Sequence, residues 1–164
     1  MINTKQTKSK LKDFSNNSLG KLYIVAKPIG NMGDITIRAV EILKSVNLVL
    51  CEDTRLSSNL LSKLGIKNKL GIYNDQSEGK DKSKIIKALQ NGESVALISD
   101  AGTPLISDPG YKLVEEIKTL GFDVVPIPGA SAVITALCAS GLPTDSFYFA
   151  GFLPTTLGKL KSHL

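Results

Sequence analysis

The chain has 164 residues, enough for about one domain, and its 42% hydrophobic and 21% charged residues are typical of a globular protein. Its net charge of +5 is concentrated at the start, where residues 1–21 hold five lysines against one aspartate. Two distant cysteines, a single histidine at position 163 and the lack of an apolar run of about 20 residues argue against a structural zinc site, a Ser-His-Asp triad and a membrane-spanning helix.

The first 20 residues combine lysine with serine and asparagine, a composition that predicts a disordered basic tail. Such a tail either contacts RNA phosphates or only keeps the terminus soluble, and the composition permits both interpretations. The polar start contains no apolar signal-peptide segment. We therefore expect a protein of the reducing cytoplasm.

From residue 22 onward, short apolar runs alternate with segments of helical spacing. The apolar runs predict five strands, at 22–26, 48–51, 70–73, 95–99 and 123–127. The periodic segments predict five helices, at 35–46, 54–64, 80–90, 111–120 and 132–140. Asp34 is the expected N-cap of the first helix, Pro126 indicates an edge strand or a strand end, and residues 147–149 are expected to form a further strand.

Repeated β-α units predict an α/β fold with a mostly parallel sheet and helices on both of its faces. The two prolines and one glycine of residues 142–154 indicate a domain boundary. We therefore divide the chain into the tail at 1–20, an α/β domain at 21–142, and a linker with the start of a truncated second domain at 143–164.

The sequence SDAGTPLISDPG, residues 99–110, is the most informative segment. Connections between strands and helices usually take about 2 to 6 residues, and this one is about twice as long. Its two glycines allow close approach of backbone to a ligand, and its two aspartates are costly in a tight loop unless they find partners. We favour a functional loop over an ordinary turn.

Three further loops follow predicted strands, at 27–34, 52–55 and 128–131. The carboxyl ends of parallel strands share one edge, so all four loops are expected at one rim of the sheet. Neither a dinucleotide fingerprint nor a P-loop is present. A rim of glycine and alanine backbone with a few carboxylates suits a partly cationic small ligand; it permits S-adenosylmethionine without selecting it.

The segment EDTR, residues 52–55, is the densest charged cluster at a strand end. Its acids have the chemistry to accept a proton and Arg55 has the chemistry to hold a phosphate. The alternative is helix capping by Asp53 or Thr54, with Glu52 beside the helix dipole. Residue chemistry alone favours neither interpretation.

Five segments occur in a characteristic order: VAKPIGN, EDTR, SDAGTPLISDPG, PGAS and GFLP, at residues 25–31, 52–55, 99–110, 128–131 and 151–154. Together they resemble the tetrapyrrole methylase superfamily, and within it the branch that methylates small-subunit ribosomal RNA. The resemblance covers about residues 20–160. It implies a two-domain α/β methyltransferase, a homodimer at full length, that uses S-adenosylmethionine to methylate the ribose 2′-hydroxyl of a cytidine in 16S rRNA.

The resemblance also implies roles for individual residues. The expected cofactor-binding residues lie in two loops: Asp100, Ala101, Gly102, Thr103, Pro128, Gly129 and Ser131. The expected catalytic or substrate cluster is Glu52, Asp53 and Arg55, and Pro28 and Gly30 are expected beside the substrate cleft. We nominate Glu52 or Asp53 as the general base; the reaction needs no metal.

Three departures from the family pattern stand out. Lys27 replaces a small hydroxyl residue, Ala130 replaces a common proline, and the chain ends at Leu164 near the start of the family's second domain. Two rival interpretations therefore remain. One is a methyltransferase acting on a porphyrin-like small molecule, and the other is a non-catalytic fragment that contacts RNA through its basic tail.

Overall fold

The structure, a computed structural model, describes residues 19–75 and 80–163. The predicted basic tail, except for its last two residues, lies outside the described part of the chain. Within that part, no helix combines the length and the apolar character needed to cross a membrane.

Apolar strands of three or four residues form one sheet in which every neighbouring pair is parallel. They are β1 Leu22–Val25, β2 Leu48–Cys51, β3 Leu70–Ile72, β4 Val95–Leu97 and β5 Val124–Ile127. The strand order is β3-β2-β4-β1-β5. The predicted parallel sheet is confirmed, and Pro126 lies in an edge strand, where a missing backbone donor is tolerated.

Helices cover both faces of the sheet, as the sequence predicts. The helices of the described residues are α1 Ile37–Ser45, α2 Thr54–Lys63, α3 Lys80–Gln90, α4 Tyr111–Thr119, α5 Ala132–Ala139 and α6 Leu157–His163, of which α1 to α4 pack on the sheet. Leu43 of α1 and Leu61 of α2 belong to one buried cluster, whereas Leu89 of α3 and Ile117 of α4 belong to another. Strand side chains alternate between these two clusters because successive residues point to opposite faces.

Two local predictions are wrong. Asp34 does not cap α1: it lies in a short 3₁₀ helix, Met32–Asp34, and the Thr36 hydroxyl accepts the capping hydrogen bond from the Ala39 N–H at 3.1 Å. Residues 147–149 form no strand: all three side chains are exposed, so this segment does not pack against the sheet, which ends at β5. The spacing of apolar residues identified α1 but not the residue at which it begins.

The connections between the strands diverge at the neighbouring pair β1 and β4, and we call this topological switch point the crossing point. These strands are neighbours, yet β1 leads through α1 to β2 on one side, whereas β4 leads through α4 to β5 on the other. In open α/β sheets, ligands bind outside the carboxyl ends of the strands where the connections diverge in this way. The topology therefore directs attention to the loops that follow β1 and β4.

Candidate functional site

Four loops follow the carboxyl ends of the strands and form one rim of the sheet. We call them the β1 loop (27–34), the β2 loop (52–55), the β4 loop (99–110) and the β5 loop (128–131). All four follow parallel strands of one sheet, so their expected convergence is confirmed. The rim also includes Asp75, which follows β3 and which the sequence analysis did not identify.

The β1 and β4 loops meet at the crossing point. The Lys27 N–H donates a hydrogen bond to the Gly102 carbonyl oxygen at 2.8 Å. Gly102 has a φ of +72°, and a Cβ there would lie 3.4 Å from Cγ2 of Ile29. Glycine at position 102 thus allows the two loops to approach closely without backbone strain.

The β4 and β5 loops are also joined. The Thr103 hydroxyl donates a hydrogen bond to the Ala130 carbonyl oxygen at 3.1 Å. Gly129 lies against Ala26, the residue that follows β1, and a Cβ at position 129 would be only 2.9 Å from the Cβ of Ala26. The two predicted cofactor loops therefore touch each other and the end of the strand between them, and Thr103 has a structural contact in addition to any contact with a ligand.

The β4 loop is folded tightly on itself. The Ser99 hydroxyl donates to the carbonyl oxygens of Ala101 at 3.0 Å and Gly102 at 3.4 Å. Leu105 and Ser107 adopt positive φ values of 74° and 58°, which side chains other than glycine seldom adopt. Such strain of order 1–3 kcal/mol per residue persists only where the surroundings impose the conformation, and it is frequent at ligand sites.

Asp75 anchors the far end of the β4 loop. Its Oδ1 accepts hydrogen bonds from the Gly110 N–H at 3.0 Å and from the Tyr73 hydroxyl at 3.2 Å. Tyr73 is fully buried, so its hydrogen bond with Asp75 joins the loop to the hydrophobic core. An aspartate three residues after a weak strand carries no sequence signal of this contact, because Gly110 lies 35 residues away.

Glu52 interacts with charged groups from several loops of the rim. Burial raises the pKa of its carboxyl group, and the negative charges of Asp100, Asp108 and Asp75 raise it further, whereas Lys27 opposes the shift. Burial also raises the pKa of Asp108, with a further contribution from Asp100. A carboxylate in such surroundings binds a proton more readily than an isolated one, which favours a role as a general base.

Asp53 differs sharply from its neighbour. It is the N-cap of α2, where Oδ1 accepts a hydrogen bond from the Arg55 N–H at 2.8 Å, and its Oδ2 lies 2.8 Å from Nη2 of Arg55. These hydrogen bonds lower the pKa of Asp53 to about 2. The capping interpretation of the β2 loop therefore holds for Asp53. The Arg55 side chain is 88% exposed and is directed back to Asp53.

Lys27 is buried at the crossing point, with only 5% of its surface exposed. Burial lowers the pKa of its ammonium group, while the negative charges of Asp100 and Glu52 favour the protonated form. In the sequence, Lys27 stands out only as a departure from the family pattern. Alternation along β1 gave no sign that a lysine two residues after the strand would be enclosed.

The remaining predicted residues line the open side of the rim. Asp100, Ala101, Pro128 and Gly129 are exposed, and Pro28 is half-buried. Gly30 has a φ of +136° and open space where a Cβ would stand. Ser131 is the N-cap of α5, but its hydroxyl makes no capping hydrogen bond. Exposed backbone groups in loops that are held by hydrogen bonds to one another are suited to bind a polar small molecule.

Within residues 19–75 and 80–163, no group of three or more histidine, cysteine, aspartate or glutamate side chains is arranged to hold a metal ion. The carboxylates of the rim are instead distributed over the ends of β2, β3 and β4. Their combined negative potential favours a ligand that carries positive charge.

Comparisons with known proteins agree with this geometry. The sequence matches the family model of Tetrapyrrole (Corrin/Porphyrin) Methylases over residues 21–162. It is 56% identical over 143 residues to "Ribosomal RNA small subunit methyltransferase I" of Mesorhizobium japonicum, covering 87% of this chain and 49% of that protein. It is also 56% identical over 140 residues to the protein of the same name in Rickettsia prowazekii, covering 85% of this chain and 50% of that protein.

Solved structures share the fold. Uroporphyrin-III-C-methyltransferase from Thermus thermophilus matches with a TM-score of 0.58 and 26% identity, covering 76% of this chain and 54% of that one. A cobalt precorrin-4 methyltransferase matches with a TM-score of 0.59 and 22% identity, covering 73% of this chain and 50% of that one. The chain spans about half the length of the curated relatives it matches.

Proposed function

The chain belongs to the tetrapyrrole methylase family, and from this premise we propose that it transfers a methyl group from S-adenosylmethionine to the ribose 2′-hydroxyl of a cytidine in 16S rRNA. The substrate class follows the relatives, which are named ribosomal RNA small subunit methyltransferase I and are 50–56% identical to this chain over aligned stretches of 140–147 residues. The ribose 2′-hydroxyl and the cytidine are inferred from the motif resemblance.

The residues at the rim fit the cofactor in charge and in their exposed backbone groups. When bound, S-adenosylmethionine supplies an electrophilic methyl group on a positively charged sulfur. The backbone of the β4 loop from Asp100 to Thr103 and of the β5 loop from Pro128 to Ser131 would hold it. The open face at Gly30 and the surplus of carboxylates over the buried Lys27 support this assignment.

Glu52 is the proposed general base, and its contrast with Asp53 is the observation that carries the mechanism. The raised pKa of Glu52 allows it to accept the proton of a weakly acidic ribose hydroxyl. Asp53 holds its proton too weakly, with a pKa of about 2, and both of its oxygens are committed to Arg55. The loops then need to hold the hydroxyl about 3 Å from the methyl carbon in line with the bond that breaks.

Arg55 is the proposed phosphate contact. Its guanidinium group is exposed, and its pairing with Asp53 fixes the side chain at the start of α2. A guanidinium group held in this way keeps donors available for a phosphate of the RNA backbone. Pro28 and Gly30 of the β1 loop are placed by the same proposal at the substrate side of the cleft. We also infer a cytoplasmic location and, for the full-length family, a homodimer.

The test is to express this chain in a bacterium whose own small-subunit ribose methyltransferase gene is deleted, and to analyse its 16S rRNA by mass spectrometry. We expect one additional ribose methyl group on a cytidine. Methylation of a tetrapyrrole instead would favour the small-molecule enzyme. Binding of S-adenosylmethionine with no transfer to any acceptor would favour the non-catalytic fragment.

Two matched variants test the general base. Glu52→Gln is expected to lower the single-turnover rate of methyl transfer by about 10²- to 10⁴-fold, the usual contribution of general base catalysis. Asp53→Asn, which preserves a good N-cap, is expected to retain the rate within about tenfold. Equal rates for Glu52→Gln and the unaltered chain would exclude the assignment.

A further inference from the structure

Lys27 lies where three elements of the rim meet. Its N–H binds the Gly102 carbonyl oxygen of the β4 loop, and Gly129 of the β5 loop packs against the preceding residue, Ala26. Only 5% of the residue is exposed. This burial leaves the ammonium group little freedom to reach bulk water, whereas most lysines extend their charged ends into solvent.

The charges around Lys27 are negative. The carboxylates that face it are Glu52 from the end of β2 and Asp100 from the β4 loop, and the β5 loop has no titratable side chain. The Cys51 thiol also faces it, but burial raises the pKa of that thiol, so it is uncharged near neutral pH. Basic side chains elsewhere in the described residues have acidic partners within 4.0 Å, for example Lys21, Arg55 and Lys82. Lys27 forms no such close pair with a described residue, so its charge acts on several carboxylates together rather than on one.

Glu52 is surrounded by charges of both signs, which act in opposite directions on its protonation. The negative groups that face Glu52 are Asp100, Asp108 and Asp75, contributed by the β4 loop and by the end of β3. Lys27 is the cation that faces it. Without a nearby positive charge, like charges at one rim favour protonation of one of the carboxyl groups, and a protonated carboxyl group cannot act as a base.

We propose that Lys27, the buried cation among the carboxylates at the strand ends, is a positioning residue whose ammonium group keeps the Glu52 carboxylate ionised. The proposal rests on the proposed function insofar as Glu52 accepts the substrate proton. The electrostatic interaction between Lys27 and Glu52 does not depend on that function. The proposal predicts a coupling between two titrations that is present whether or not any substrate is methylated.

The direct test is to titrate Glu52 by NMR in the full chain labelled with ¹³C at the glutamate carboxyl carbon, with Glu52→Gln used to assign its signal. Lys27→Met, which keeps the length and removes the charge, is expected to raise the pKa of Glu52 by about one unit. Lys27→Arg is expected to leave it within about 0.3 units, because the charge remains. An unchanged Glu52 titration in Lys27→Met would overturn the proposal.

Lys21→Met is the matched control, because Lys21 precedes the same strand at its opposite end and pairs with Asp123 at 3.1 Å. It removes one positive charge from the chain without removing it from the rim. We expect no measurable change in the Glu52 titration. An equal shift in Lys21→Met and Lys27→Met would assign the effect to net charge and refute a specific contribution from Lys27.

A reciprocal measurement leaves Lys27 intact and so does not depend on the folding of its variants. The reactivity of the Lys27 amine toward acetic anhydride, followed by peptide mass spectrometry, reports its protonation at each pH. Glu52→Gln removes a negative charge and is expected to shift the onset of acetylation by about one pH unit to lower pH, since coupling between two sites is reciprocal. An identical onset in Glu52→Gln and the unaltered chain would refute the coupling.

These readouts separate this proposal from the function. If the titrations are coupled but 16S rRNA is not methylated, Lys27 sets the charge of Glu52 in a protein with another activity. If methylation occurs and the titrations are independent, the enzyme assignment stands and the proposal for Lys27 fails. Where both hold, the acid limb of the pH–rate profile is expected to move to higher pH in Lys27→Met and to remain in place in Lys27→Arg.

Discussion

The sheet region, residues 22–127, and the segment that follows it, residues 132–163, contain similar apolar side chains but bury them very differently. In the sheet region, Leu43, Leu89 and Ile117 are completely enclosed between helices and strands. In the following segment, no residue of α5 is buried, and the exposed fractions of Tyr148 and Phe152 are 90% and 89%. Hydrophobic composition alone does not distinguish these two regions.

The difference arises from geometry. Each helix of the sheet region is amphipathic and needs cover on one face, which the sheet provides. The residues of α5, AVITALCA, are almost all apolar, so this helix needs neighbours on several sides, and its described neighbours do not enclose it. The cost of altering an apolar residue should therefore follow burial and not residue type.

The largest expected difference between the two regions is in the free energy of unfolding after the same substitution in two helices. Ile117→Ala removes a fully buried side chain from α4 and is expected to cost about 2–5 kcal/mol. Ile134→Ala, in α5 where the side chain is 50% exposed, is expected to cost less than about 1 kcal/mol. Urea denaturation measures both, and equal losses would contradict the comparison.

A second pair concerns glycine. Gly110 has a φ of +127°, and a Cβ there would stand 2.7 Å from Cδ2 of Leu97, so Gly110→Ala is expected to cost about 3 kcal/mol through strain and overpacking. Gly141 has a φ of +71° with nothing within 4 Å, and Gly141→Ala is expected to cost about 1 kcal/mol. Thermal unfolding of both variants would test the order, and a larger loss at Gly141 would reverse it.

A third pair concerns the anchor of the β4 loop. Asp75→Ala removes the acceptor for the Gly110 N–H and for the Tyr73 hydroxyl, and is expected to destabilise the chain by about 2 kcal/mol. Asp145→Ala, an exposed carboxylate in the following segment, is expected to change stability by less than about 0.5 kcal/mol. Faster hydrogen exchange of the Gly110 amide in Asp75→Ala would localise the effect, and an unchanged rate would contradict it.

The smallest expected effect is a dependence of stability on acid. The pKa of Asp53 is about 2 in the folded chain, below its ordinary value of 3.8, so its contribution to stability is present above about pH 4 and is lost as pH falls toward 2. Asp53→Asn is expected to flatten the stability profile between pH 4 and pH 2, whereas Asp145→Asn provides the reference from the other region. Parallel profiles for Asp53→Asn and the unaltered chain would exclude this contribution.

The rim of the sheet was accessible to sequence reasoning because it depends on local signals. Strand ends followed by glycine, proline and carboxylate residues identify the β1, β2, β4 and β5 loops, and a parallel sheet places such loops at one edge. The choice between Glu52 and Asp53 was not accessible. Adjacent acids have the same chemistry in a sequence, and only their surroundings give them different proton affinities.

By itself, the amino-acid sequence determined the alternation of strands and helices, the parallel sheet and the loops of the candidate site. These features depend on the periodicity of apolar residues and on turn chemistry within a few positions. Tertiary structure alone decided that Lys27 is buried, that Asp75 holds Gly110 across 35 residues, and that Thr36 rather than Asp34 caps α1. The reason is physical: burial, charge proximity and hydrogen bonding are set by distances in space, which residues far apart in the chain acquire only when the sheet assembles.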